Sequence, residues 1–256
     1  MLGQDVMRVV GDAAVGLSHA ELDVTDAAAV REALAGAELV INCAAWTDVD
    51  GAEEHAEEAL AVNRDGARNV AEAAGRVVYV STDYVFDGTG HTPYVESDPT
   101  APLQSYGRSK LAGELATAAA NPRHFIVRSS WLFGAGGGNF VETMLRLGRE
   151  RDELRVVDDQ VGCPTFTGHL AEAIVRLGET DDYGIHHLAG AGSCSWYQFA
   201  REIFERSGVD CHVEPCTTEE FPRPARRPAW SVLGSERGRS LPTWQEGLEA
   251  YLGVRA

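Results

Sequence analysis

The chain has 256 residues, 44% of them hydrophobic, and its 39 acidic against 22 basic side chains give a formal net charge of −17. This charge disfavours nucleic acids and anionic membranes as partners, because both repel an acidic surface. No apolar run approaches the roughly 18–20 residues of a membrane span, and we expect no leader segment. Five scattered cysteines indicate reduced thiols, so we expect a cytoplasmic protein.

Short apolar runs alternate with longer helical patterns in the first part of the chain. Strands are predicted at 37–43, 76–81 and 125–129, and helices at 52–74, 106–120 and 140–149. This alternation predicts a Rossmann-like, doubly wound parallel α/β sheet that binds its ligand beyond the carboxyl ends of the strands. Loops lengthen and prolines cluster further on. We therefore predict a nucleotide-binding domain over 1–157 and a smaller substrate-binding lobe over 158–256, some of which returns to the sheet.

The chain opens without the glycine-rich loop that normally follows the first strand of a dinucleotide-binding fold. Gly3, followed by apolar residues at helical spacing, is predicted to be the last glycine of such a loop. We therefore expect the first strand and most of the loop to be missing upstream; a short protein with another loop is the alternative. The segment FGAGGGN at 133–139 has a similar local context, but Asn139 replaces its third glycine. We interpret it as a turn beside the active site.

Tyr106 and Lys110, the only lysine of the chain, lie four residues apart at the start of a predicted helix and therefore share one of its faces. A tyrosine that exchanges protons near pH 7 needs its pKa lowered from about 10, which costs roughly 4 kcal/mol over three units. A neighbouring ammonium group and the helix dipole favour the phenolate, so we expect a lowered pKa for Tyr106. Ser81 and Thr82 end the preceding strand and offer a hydroxyl group to the same substrate oxygen.

These residues identify a resemblance to the extended short-chain dehydrogenase/reductases and, within them, to the dTDP-4-dehydrorhamnose reductase family. The resemblance covers nearly the whole chain after its first residues. The matching stretches are ELDVTD (21–26), NCAAWTDVDGAE (42–53), AVNRDGARNVA (61–71), STDYVFDG (81–88), YGRSKLAGE (106–114), RSSWLFG (128–134), DDQVGCPT (158–165) and RPAWSVL (227–233).

The resemblance implies roles for particular residues. The catalytic residues would be Thr82, Tyr106 and Lys110. The cofactor would contact Gly3, Ser18, His19, Asp23, Val24, Ala44, Ala45, Thr47, Tyr106 and Lys110. The substrate would contact Val49, Thr82, Asp83, Tyr84, Trp131, Arg226 and Arg227. Because no acidic residue directly follows Ser18 and His19 to repel a 2′-phosphate, NADPH is favoured as cofactor, with NADH as the alternative.

The implied reaction is the NADPH-dependent reduction of the C4 ketone of dTDP-4-dehydro-6-deoxy-L-mannose to dTDP-L-rhamnose. Related dehydratases carry Thr-Asp-Glu where this chain has Thr82-Asp83-Tyr84, so the base for elimination is missing and dehydration is disfavoured. Three alternatives stay open. They are a reductase or epimerase of another nucleotide sugar, an NADP-binding regulatory subunit like that of methionine adenosyltransferase, and a chain that is inactive without its first strand.

Metal and partner expectations are limited. The adjacent His186 and His187 lie in a predicted strand and point to opposite faces, so they cannot hold one ion together. We predict no catalytic metal; a Mg²⁺ ion at a subunit contact, which related reductases can use, stays open. The expected partner is the nucleotide sugar, and the expected assembly is a monomer or a homodimer.

Overall fold

The centre of the protein is a four-stranded parallel sheet in the computed structural model, which describes residues 1–255, so that Ala256 of the predicted lobe lies outside the described residues. The strand order is β1-β2-β3-β8. The strands are β1 (Leu39–Asn42), β2 (Arg76–Thr82), β3 (His124–Ser129) and β8 (Gly184–His187). The three predicted strands are confirmed with ends shifted by one or two residues, and their β-branched side chains suit a sheet buried on both faces.

Helices cover both faces of this sheet, as a doubly wound fold requires. They are α1 (Leu2–Val10), α2 (Ala27–Ala33), α5 (Ala67–Ala73), α6 (Ser105–Ala120) and α8 (Thr167–Gly178). On one face, Leu2 of α1 and Ile174 of α8 pack with Val78 and Phe125 of the sheet. On the other face, α2 and α5 pack around Val77, and α6 lies against β2. A fold of this kind binds its ligand beyond the carboxyl ends of the strands.

The predicted helix over 52–74 is interrupted. It consists of α3 (Gly51–Glu54), α4 (Ala56–Leu60), a π-helical turn (Ala61–Gly66) and α5. His55 has non-helical backbone angles (φ −120°, ψ 48°) and separates α3 from α4. The π-helical turn contains Asn63, whose buried side chain bonds to residues outside the helix. Such turns are frequent at functional sites.

The remaining elements build a second core beside the sheet. The helices are α7 (Phe140–Glu150), α9 (Trp196–Ser207) and α10 (Trp244–Arg255). Short strand pairs join them: β4 (Leu132–Phe133) with β7 (Thr165–Phe166), β5 (Glu153–Val157) with β10 (His212–Cys216), and β6 (Val161–Gly162) with β9 (Cys194–Ser195). Phe133, Leu145, Phe199 and Leu248 are buried at the centre of this core.

Gly113 marks the closest approach between α6 and the rest of the domain. A methyl group there would lie 2.1 Å from the Asn63 carbonyl oxygen and 2.2 Å from the Tyr79 hydroxyl group. Both neighbours are themselves buried. The approach of α6 to the sheet therefore depends on this glycine.

We predict that Gly113→Ala destabilises the protein by about 1–3 kcal/mol, because the added methyl group pushes α6 away from buried, close-packed neighbours. Gly253→Ala is the matched control, since this helical glycine has open space around it and alanine there should stabilise by about 0.5–1 kcal/mol. Urea unfolding of both variants measures the difference. Equal stability of the two variants would contradict the packing described.

Candidate active site

Helix α6 presents three functional side chains at intervals of four residues along one face. Tyr106 lies in its first turn, Lys110 one turn later and Glu114 one turn after that. Lys110 and Glu114 are each only 2% exposed, while Tyr106 is partly exposed. The same face carries the proposed catalytic tyrosine at its open end and charged groups at its buried end.

The ammonium group of Lys110 is bonded to the neighbouring strand rather than to solvent. Its Nζ donates a 2.6 Å hydrogen bond to the Val80 carbonyl oxygen and lies 4.1 Å from the centre of the Tyr79 ring. Burial lowers the pKa of Lys110 to about 7, against the opposing charge of Glu114. Val80 is the only hydrogen-bond acceptor of Nζ within residues 1–255, so the remaining donors of an ammonium group have no acceptor there.

Glu114 closes a buried polar network under the site. Its carboxylate accepts hydrogen bonds from the Ser81 hydroxyl group at 2.6 Å and from Nε and Nη2 of Arg128 at 2.9 and 2.8 Å. Both members of the ion pair are about 3% exposed. The network fixes α6 to the ends of β2 and β3.

Tyr106 meets Thr82 as predicted, but its pKa does not move in the expected direction. Its phenol lies close enough to the Thr82 side chain to interact with it, and burial together with the charge of Asp83 raises the pKa of Tyr106 to about 12. The expected lowering is therefore wrong for this state of the protein, because burial disfavours the phenolate more than the surroundings stabilise it. A phenol that keeps its proton is the form that a proton donor needs.

Thr82 and the two residues after it form a compact turn at the end of β2. The Thr82 hydroxyl group donates to Asp83 Oδ1 at 3.1 Å and accepts from the Tyr84 backbone N–H at 3.2 Å. The Tyr84 ring lies edge-on to the Tyr106 ring, 6.1 Å between centres. Thr82, Tyr84 and Tyr106 are thus brought together.

The predicted cofactor residues line the edge of the domain beyond β1. Ala44 and Thr47 are exposed and Gly3 and Ala45 are half-buried. The Asn42 side chain accepts the Ala44 N–H at 3.0 Å, and a methyl group on Gly3 would reach only ordinary contact with Cys43. Small residues and free backbone at this edge fit the close approach of a dinucleotide.

Asn63 was missed as a site residue by sequence reasoning, although it lies in a quoted motif. Its side chain accepts the Trp46 backbone N–H at 2.9 Å and donates to the Ser109 hydroxyl group at 2.8 Å. It thereby holds the loop after β1 against α6, between Tyr106 and Lys110. A buried asparagine in a helical pattern was the available signal, since it must bond to something outside the helix.

The segment predicted to meet the adenosine ribose has an acidic neighbour. Glu21 accepts hydrogen bonds from the Ser18 backbone N–H and hydroxyl group at 2.8 and 2.7 Å. His19 and Asp23 are exposed, and Val24 is held by a 3.0 Å bond from Asn69 to its carbonyl oxygen. The expectation that no acidic residue lies beside Ser18 is therefore wrong, because Glu21 contacts Ser18 in the folded protein. A carboxylate there would repel a 2′-phosphate, so Glu21 is expected to limit the preference for NADPH over NADH.

The predicted substrate arginines differ in their surroundings. Arg227 donates a 2.9 Å hydrogen bond to Asp50, beside Val49 in the loop after β1, and its side chain is 15% exposed. Arg226 is exposed to solvent. Arg227 is close enough to Tyr84 for its positive charge to influence the Tyr84 pKa. Arg227 and its partner Asp50 therefore lie at the site, and sequence reasoning missed Asp50.

Trp131 follows β3 in a strained conformation. Its φ of 47° is the only positive value of a non-glycine residue among residues 1–255. The Trp131 ring stacks on Trp196 of α9, with 3.4 Å between centres and 3° between planes, and a methyl group on Gly162 would collide with it. Backbone strain of this kind is often found at functional sites. Trp196, the stacking partner of Trp131, is an aromatic residue of the candidate site that sequence reasoning missed.

The RmlD substrate binding domain family matches residues 1–255. The chain belongs to this family. Its relatives include a dTDP-4-dehydrorhamnose reductase from Sinorhizobium fredii, 44% identical over 87% of this chain and 81% of the relative. A probable dTDP-4,6-dihydroxy-2-methyloxan-3-one 4-ketoreductase from Streptomyces antibioticus is 41% identical over 100% and 93%.

A solved structure supports the same relationship. The dTDP-4-dehydrorhamnose reductase of Bacillus anthracis, in complex with NADP, superimposes with a TM-score of 0.95 at 39% identity, covering 100% of this chain and 95% of that one. In the part of this chain that the structure describes, no group of three or more His, Cys, Asp or Glu side chains is arranged to hold a metal ion. No helix there is long and apolar enough to span a membrane.

We predict that Lys110→Met stabilises the free protein near pH 7 by a few kcal/mol, because methionine carries no charge that must be buried. Each unit by which folding lowers the Lys110 pKa corresponds to about 1.4 kcal/mol. Because folding lowers the Lys110 pKa from 10.5 to about 7, the unfolded chain binds more protons between these values. The cost of burying Lys110 is therefore full below about pH 7 and disappears towards pH 10.5.

Urea unfolding at two pH values, one near 7 and one near 9.5, tests this within the window set by the two pKa values of Lys110. The advantage of Lys110→Met should shrink at the higher pH. Arg108→Met, at an exposed position of the same helix, is the control and should show no such trend. A Lys110→Met variant that is less stable at both pH values would contradict the expectation.

Proposed function

We propose that this chain is an NADPH-dependent dTDP-4-dehydrorhamnose reductase, which reduces the C4 ketone of dTDP-4-dehydro-6-deoxy-L-mannose to dTDP-L-rhamnose. The observation that carries the proposal is the cluster of Thr82, Tyr106 and Lys110 at the carboxyl end of β2. Relatives that cover nearly the whole chain bear this name, and one of them binds NADP. The unpaired cysteines are compatible with action in the reducing cytoplasm.

When bound, NADPH supplies the hydride that the ketone carbon accepts. Tyr106 donates its proton to the oxygen as it becomes an alkoxide, a far stronger base than a phenolate, so a pKa of about 12 does not prevent the transfer. Thr82 holds the same oxygen through its hydroxyl group. The free donors of Lys110 bind the ribose of the cofactor and keep it in place beside Tyr106.

Other residues position the two ligands. Gly3, Ala44, Ala45 and Thr47 would lie along the pyrophosphate and ribose of the cofactor, and Ser18, His19, Asp23 and Val24 around its adenosine. Arg226 and Arg227 would bind the substrate diphosphate, for which an arginine fork is well suited. Val49, Asp83, Tyr84 and Trp131 would surround the sugar ring.

A second candidate function is the 4-keto reduction of a different dTDP-sugar. The relative from Streptomyces antibioticus, which is nearly as similar, is named as a ketoreductase of another dTDP-linked sugar. Both functions use the same triad and differ only in the sugar that the lobe accepts. Turnover of one ketosugar and not the other distinguishes them.

We predict that NADPH oxidation with dTDP-4-dehydro-6-deoxy-L-mannose occurs with the wild-type chain and falls about 10²–10⁴-fold in Tyr106→Phe, the usual contribution of a positioned proton donor. NADPH affinity, measured by fluorescence titration, should change little in this variant. Tyr183→Phe removes a hydroxyl group that bonds to Asp181 outside the site and should leave turnover unchanged. NADPH binding in the wild type without turnover of this ketosugar would refute dTDP-4-dehydro-6-deoxy-L-mannose as the substrate and leave the second candidate function.

We predict that Glu21→Gln shifts the cofactor preference towards NADPH by about fivefold, since removing one nearby charge changes the energy of a phosphate by roughly 1 kcal/mol in water. The ratio of kcat/KM for NADPH to that for NADH measures the shift. Glu32→Gln, which removes an equal charge from exposed α2, is the control. An unchanged ratio in Glu21→Gln would place the 2′-phosphate elsewhere.

A further inference from the structure

Asp83 differs from the other buried carboxyl groups of the domain. It is 3% exposed, its Oδ1 accepts one hydrogen bond from Thr82, and among the described residues no hydrogen-bond partner reaches its buried Oδ2. Glu114, by contrast, accepts three hydrogen bonds, two of them from Arg128. A buried carboxylate with one oxygen unpaired is costly, which favours the protonated acid.

The groups that face Asp83 favour the neutral acid. Tyr84 comes from the turn after β2, Tyr106 from α6 and Cys163 from the segment after β6, and their pKa values are all raised, mainly by burial. They are uncharged near pH 7. Interactions with the Ser231 and Thr82 side chains and with the backbone of Asp83 and Tyr84 favour the carboxylate, yet burial outweighs them and raises the pKa of Asp83 to about 7.

The Thr82 side chain lies between this acid and the proposed catalytic tyrosine. Thr82 donates a hydrogen bond to Asp83 Oδ1 at 3.1 Å, and the Tyr106 phenol interacts with the Thr82 side chain. The backbone N–H of Tyr84 bonds to the Thr82 hydroxyl oxygen and holds it in place. One hydroxyl group therefore separates the phenol from the carboxyl group, and a hydroxyl group both donates and accepts protons.

We propose that Asp83 is the proton reservoir that restores Tyr106 after each reduction, delivering its proton through the Thr82 hydroxyl group. This role rests on the proposed reductase function and differs from the sugar contact suggested for Asp83 above. It makes Asp83 part of a relay rather than only a wall of the substrate site.

The proton balance of the relay closes. When the substrate alkoxide takes the Tyr106 proton, the phenolate takes the proton of the Thr82 hydroxyl group, and the Thr82 oxygen takes the acid proton of Asp83. Thr82 is unchanged, and Asp83 is left as a carboxylate that a proton from solvent neutralises before the next cycle. Oδ2 has no hydrogen-bond partner among the described residues, so rotation of the carboxyl group can bring a proton on Oδ2 to the Thr82 oxygen without breaking a hydrogen bond of Oδ2.

The direction of transfer follows from the two acidities. The pKa of Asp83 is about 7 and that of Tyr106 about 12, so the proton moves downhill from the carboxylic acid to the phenolate. Above pH 7 the reservoir is increasingly empty. Turnover should therefore decline as pH rises through the Asp83 titration.

The test is Asp83→Asn, which keeps the shape and the acceptor of the carboxyl group but cannot release an acid proton. We expect wild-type kcat to decline above about pH 7, and kcat of Asp83→Asn to be at least roughly tenfold lower and independent of pH over this range. Asp87→Asn is the control: this carboxylate bonds to Tyr94 and Thr89 outside the site and its loss should preserve the wild-type profile.

Three kinetic outcomes overturn the relay. They are a wild-type kcat without a decline near pH 7, an Asp83→Asn variant that keeps the decline, and an effect of Asp83→Asn confined to KM, which indicates a sugar contact only. In each case, turnover that collapses in Tyr106→Phe still upholds the reductase. A wild-type protein without turnover removes both proposals together.

Infrared spectroscopy of the free protein gives a readout besides activity. The wild type and Asp87→Asn should show a carboxylic-acid carbonyl band that disappears as pH rises through about 7, and Asp83→Asn should lack it. Absence of this band in the wild type would show that Asp83 is already ionised and overturn the proposal.

Discussion

The hydrogen bond from the Lys110 ammonium group to the Val80 carbonyl oxygen joins α6 to β2 at the centre of the protein. It requires α6 to lie directly on the strand, which Gly113 permits, and the Arg128–Glu114 pair fixes the same helix one turn further on. Because Tyr106 begins this helix and Thr82 ends this strand, their meeting is a consequence of that contact. The reactive groups are positioned by buried charge rather than by loops.

This arrangement costs stability. A buried ammonium group with one carbonyl partner is disfavoured, as the low pKa of Lys110 shows. The same burial raises the pKa values of Tyr106 and Asp83, so both groups hold their protons to a higher pH than usual. Acids that hold their protons suit proton donation to a ligand. A loss of stability of this kind is typical of functional sites.

The regions proposed to bind the cofactor and the sugar are held together by contacts between residues that lie far apart in the sequence. Asn63 holds the loop after β1 against α6, and Asp50 of that loop binds Arg227 of the second core. Trp131 and Trp196 stack across the same boundary. These contacts connect β2 and α6, which carry the proposed triad, with the lobe proposed to select the sugar.

The sequence by itself predicted the parallel sheet and the shared helical face of Tyr106 and Lys110, because apolar periodicity and four-residue spacing are local properties. It failed where the outcome depended on packing. Only the tertiary structure brought Glu21 to Ser18 and Asp50 to Arg227, since pairs of charges on different segments leave no local pattern. It also reversed the expected pKa of Tyr106, because burial is set by the whole fold and not by the neighbouring lysine.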